Sequence, residues 1–86
     1  MNNMIDYSKE DWVEYIKSHL NEFDIQETGP DNKYKLWRIG ITSKANRLYS
    51  EFGEETDKDK AKELAIYRLA SVLYQYYRMP NNLTDY

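Results

Sequence analysis

The chain has 86 residues, 41% of them hydrophobic, 31% charged and 15% aromatic, with three Gly, two Pro and no Cys. That length holds one domain with a modest core, burying roughly two-thirds of its unfolded surface, and the composition excludes disordered and collagen-like chains. Without cysteine there is no disulfide framework, thiolate metal site or thiol nucleophile.

The net charge of -3 is unevenly spread. Residues 1–32 carry eight acids against Lys9 and Lys17, whereas residues 33–50 carry Lys33, Lys35, Arg38, Lys44 and Arg47 and no acid. A polyanion would therefore meet the middle of the chain. Met1 to Asp6 lacks the regions of a signal peptide, and no apolar stretch approaches the roughly 18 residues of a membrane span, so a cytoplasmic protein without membrane contact is expected.

In chain order, residues 1–7 read as a tail. Ser8 can cap a helix whose third position is Asp11, and Tyr7 can pack on Trp12 as a hydrophobic staple. Trp12, Val13, Ile16 and Leu20 then recur at helical spacing, predicting an amphipathic helix that ends near Asn21. From Glu22 to Thr28 the period becomes two, which predicts a strand, and Gly29-Pro30-Asp31-Asn32 is a turn signal. Alternation resumes over Lys33 to Thr42, with Trp37, Ile39 and Ile41 on one face of a second strand.

Residues 43–52 fit two patterns. Ala45, Leu48, Tyr49 and Phe52 match a helix, while Leu48, Ser50 and Phe52 alternate as in a strand. A two-stranded hairpin is marginal alone, so a third strand at 46–52 is the favoured reading, after a turn from Ser43 to Asn46. Thr56-Asp57-Lys58-Asp59 resembles a capping box, and nothing breaks the helix that follows until Pro80. Ala61, Leu64, Ala65, Ile66, Leu69, Ala70, Val72, Leu73 and Tyr76 cover more than half of its circumference, making it the central core helix. The expected fold is thus a two-layer α+β domain over residues 8–79, α-β-β-β-α, with a three-stranded antiparallel sheet against two helices and a tail at 80–86.

This order resembles that of the double-stranded RNA-binding domain over about residues 8–77. Two local features add to it. Glu27-Thr28-Gly29-Pro30-Asp31-Asn32 looks like the family's first hairpin loop, which typically carries Gly-Pro and then His. Lys58-Asp59-Lys60-Ala61-Lys62 looks like the Lys-Lys-x-Ala-Lys start of its last helix. The resemblance implies a non-catalytic module that reads duplex shape, with the first helix and first loop each at a minor groove and the lysines on phosphates across the major groove between them.

Residue by residue, the resemblance places Glu14 at the first helix's contact, Asn32 and Lys33 in the loop, and Lys58 and Lys62 on phosphates. The pattern departs at two points: Asn32 stands where the family has histidine, and Asp59 replaces the middle lysine. From the residues themselves, Lys58 and Lys62 lie four apart on one helical face near the positive end of the dipole. The same lysines could equally pair with Asp57, Asp59 and Glu63 in a solvated first turn.

Tyr67, Tyr74, Tyr76 and Tyr77 exceed what a small core needs, and Tyr67, Tyr74 and Tyr77 suggest a protein-partner surface. The alternative reading is accordingly an acidic interaction or dimerisation module, such as a small inhibitor of the kind phages and mobile elements encode. His19 is the only histidine and has no ligand-spaced partners, so it reads as a helix-edge residue and neither metal nor cofactor is expected. Arg38-Ile39-Gly40-Ile41-Thr42 followed by Arg47 looks like the second half of a GIY-YIG nuclease motif, but the first half and its tyrosine are absent, so no enzyme is expected.

Overall fold

The computed structural model describes residues 7–78. It contains α1 (Lys9–Ser18), a 3-10 turn (Leu20–Glu22), β1 (Phe23–Thr28), β2 (Trp37–Ser43), β3 (Ser50–Glu55) and α2 (Lys58–Arg78). The order is α-β-β-β-α, an α+β fold. The tails read at 1–7 and 80–86 lie, Tyr7 apart, outside the described residues, as does Met79.

α1 starts where its capping residues dictate. Ser8 Oγ accepts the Asp11 N–H at 3.1 Å, and the Asp11 carboxylate accepts the Ser8 N–H at 3.0 Å, so two otherwise orphaned donors are satisfied reciprocally. The Tyr7 and Trp12 rings meet edge-on at 5.1 Å. The helix stops at Ser18, about one turn earlier than the spacing predicts. Ser18 Oγ donates to the carbonyls of Glu14 and Tyr15, and His19 closes the end with its N–H on Ile16 O and its ring stacked on Tyr15 at 4.1 Å. Leu20 still packs against the core from the 3-10 turn.

The strands form an antiparallel meander in the order β1-β2-β3. Phe23 pairs with Ser43 and Ile25 with Ile41; Ile39 faces Gly53 and Trp37 faces Glu55. Phe23, Ile39 and Ile41 on this inner face are buried with Trp12 and Ile16 of α1 and Ala61, Ala65, Ile66, Leu69, Ala70 and Leu73 of α2. Full burial of one such isoleucine or leucine contributes about 1.5–3 kcal/mol. The outer face carries Asp24, Gln26, Arg38, Gly40, Thr42, Ser50, Phe52 and Glu54.

Two strand boundaries differ from the pattern. β2 begins at Trp37 rather than Lys33, because Asp31 winds residues 31–36 into a loop of their own. The third strand exists and residues 43–52 are not helical, but it runs over 50–55 in place of 46–52. Its inward positions are Glu51, Gly53 and Glu55, while Leu48 is 83% exposed and Phe52 points outward. The reason lies at Gly53: a Cβ there would stand 2.8 Å from Ala65 N and closer still to Ala61 O, so only glycine lets α2 lie directly on β3.

α2 is capped one residue later than the pattern suggests. Asp57, not Thr56, accepts the N–H groups of Asp59 and Lys60, at 2.8 and 3.2 Å. Of its predicted stripe Ala61, Ala65, Ile66, Leu69, Ala70 and Leu73 are buried, Leu64 and Val72 are half-buried, and Tyr76 at the far end is 42% exposed.

Candidate nucleic-acid interface

One end of the sheet gathers most of the residues singled out above. β1 ends at Thr28, opposite Arg38, and β3 ends at Glu55, opposite Trp37, so the β1–β2 loop and the first turn of α2 emerge together. The contact between them is direct. Lys58 Nζ lies 2.7 Å from a Glu27 carboxylate oxygen and 5.1 Å from the centre of the Trp37 ring.

The loop is organised by Asp31. Its carboxylate accepts the N–H groups of Leu36 at 2.7 Å and Tyr34 at 3.2 Å, while its carbonyl accepts from Lys35 and its own N–H donates to Leu36 O. These donors, the Leu36 N–H foremost, hold the Asp31 carboxyl below the usual carboxylate range, against a smaller opposing effect of desolvation. Lys35 adopts φ 58 within this wrap. Gly29, at φ 132 and with Leu36 O 2.7 Å from where a Cβ would lie, lets the chain enter the loop. The single acid within the loop is thereby turned inward on the backbone, and Asn32, Lys33 and Lys35 remain solvent-exposed.

The start of α2 is electrically mixed. Lys58 and Lys62 lie on one face, Lys58 is tied to Glu27, and Glu63 pairs with Lys17 of α1 at 3.0 Å. Both pairs are 40% exposed or more on each side chain, so each contributes under about 1 kcal/mol and is open to exchange for another anion. Glu14 is exposed on α1, one turn before Lys17. No family model, curated protein or solved structure matches this chain.

Tyr67 is 49% exposed beside Lys9, whose ammonium lies 5.3 Å from its ring centre, whereas Tyr74 packs against the core. The side chain of Tyr77 lies outside the described residues. Pattern reading missed Glu27, Trp37 and Arg38 at this end. Glu27 and Trp37 touch Lys58, and Arg38 lies over the Phe52 ring at 3.8 Å and 3.6 Å from Glu54. The alternation of β1 does place Glu27 on the same face as Ile25, an acid at the edge of a buried face, and that was the signal available. Among the described residues no group of three or more acidic or histidine side chains could hold a metal ion, and no helix is long and apolar enough to cross a membrane.

Proposed function

We propose that this chain is a non-catalytic module that grips an RNA duplex by its shape and phosphates. The observation that carries the reading is the shared end of the sheet: a folded hairpin loop exposing Asn32, Lys33 and Lys35 stands beside a helix start exposing Lys58. Such a pair of cationic projections on a rigid sheet end suits two neighbouring stretches of a duplex backbone, and α1 with Glu14 lies alongside as a third contact. In this role Glu27 is an internal competitor. A phosphate reaching Lys58 must displace its carboxylate, so binding is weak and strongly salt-dependent.

A mobility-shift titration with an RNA duplex of about 20 base pairs, longer than the roughly 16 such modules span, tests the reading against its DNA counterpart. RNA binding at micromolar protein in low salt is expected, with weaker binding to DNA. Lys58→Ala combined with Lys62→Ala should weaken it about tenfold and flatten the salt slope, while Glu27→Gln should strengthen it. Absence of any RNA complex in low salt rejects the reading.

The acids around the lysines favour a second reading, a protein-interaction module. Glu27, Glu54, Glu55, Asp57, Asp59 and Glu63 surround the same end, and Leu48 is an exposed apolar side chain. Light scattering separates the two: a dimer in the absence of RNA supports this second reading, and a monomer that shifts RNA supports the first.

A further inference from the structure

We infer that the opposite end of the sheet holds a binding site for a methylated ammonium group. Between the start of β1, the end of β2 and the loop before β3 lies a cavity of about 130 Å³. Four rings from three separate places in the chain line it: Trp12 and Tyr15 from α1, Phe23 from β1 and Tyr49 from the loop. Glu22 and Asn46 supply polar rim groups, and Leu73 of α2 contributes to the wall.

The chemistry of this lining selects the ligand. Aromatic faces attract a cation through their quadrupole while tolerating methyl groups, and the attraction grows when the cation is desolvated. The cavity is well above the roughly 10–15 Å³ that one water needs, so it has room for a group the size of a small quaternary ammonium. Glu22 adds a carboxylate whose Oε1 accepts the Tyr15 hydroxyl at 2.7 Å, which fixes ring and charge relative to each other before any ligand arrives. Glu22 is the one charged residue of the lining, and Arg47 of the neighbouring loop is paired with Asp24 at 2.7 Å. An apolar ligand would gain nothing from Glu22, and a primary ammonium would lose hydration that rings cannot replace.

The two tryptophans make the test self-controlled, because Trp12 lines the cavity and Trp37 sits at the other end of the sheet. Titrating the full chain with tetramethylammonium, followed by the two indole N–H resonances, should move Trp12 saturably and leave Trp37 in place. Neopentyl alcohol, a neutral compound of similar shape, should bind at least tenfold more weakly. Phosphocholine and Nα-acetyl-trimethyllysine amide, compared with phosphoethanolamine and Nα-acetyl-lysine amide, distinguish a headgroup from a modified side chain as the source. Glu22→Gln, at an exposed position, should lower tetramethylammonium affinity severalfold with an unchanged thermal midpoint. Equal binding of neopentyl alcohol, or no saturable movement of Trp12, overturns the inference.

Discussion

The two faces of one small sheet obey different rules, and two glycines mark the contrast. Gly53 looks inward, and the backbone of α2 fills the space where its side chain would be. Gly40 looks outward from the central strand, and a Cβ there would meet nothing within 4 Å. The inner face is fixed by volume. The outer face is held by polar and stacking pairs, Thr42 with Ser50 at 2.7 Å, Arg47 with Asp24, and Arg38 over Phe52, each of them partly in water. Identical residue types therefore carry different weight on the two sides, and sequence changes should be tolerated on one and refused on the other.

Gly53→Ala tests this most severely. The new methyl must push α2 off β3, and a loss of about 3 kcal/mol, read from urea unfolding, is expected. A loss below about 1 kcal/mol would mean that helix and strand can separate without cost, and the contrast between the faces would fail. Next comes the start of the covering helix: Asp57→Ala should cost about 1 kcal/mol, and Thr56→Ala should cost less, since Asp57 accepts the two helix N–H groups.

Gly40→Ala should act in the opposite direction, stabilising by up to about 1 kcal/mol because the unfolded chain loses freedom and the folded face has room. Destabilisation there would show that the outer face is packed as tightly as the inner.

The smallest effect is expected from acid. Asp24 is held below the usual carboxylate range chiefly by the hydrogen bond from Arg47, and Asp31 chiefly by the Leu36 N–H. Groups with lowered folded values stabilise fully above the ordinary aspartate value of about 3.9 and lose that contribution as pH falls through the lower folded ones. Urea midpoints should therefore drop below about pH 4. Asp31→Asn should lessen that drop, and an unchanged profile would show that the loop does not depend on its carboxylate.

Much of the fold was legible because its signals are local. Ser8 and Asp11 set the first helix, the alternation of residues 37–42 set the central strand, and the apolar stripe from Ala61 to Leu73 set the second helix. The candidate interface was legible only as separate parts. Lys58 and Lys62 could be named from their type and spacing, and Asn32 and Lys33 from the family resemblance, but the carboxylate of Glu27 against Lys58 joins residues 31 positions apart.

By itself the sequence determined both helices and the first two strands and their order, since caps, turns and periodicity act between residues a few positions apart, whereas residues 43–52 fitted helix and strand alike. Tertiary structure decided the phase of the third strand. Leu48 and Phe52 offered an apolar alternation, yet Leu48 lies exposed in the turn before β3 and β3 turns Phe52 outward, because the close approach of α2 needs a residue without a side chain and Gly53 is the one β3 supplies. It also decided that four aromatic rings, spread from Trp12 to Tyr49, close around one cavity at the far end of the sheet. Neither outcome has a local signal, because both depend on which surfaces come to lie against each other.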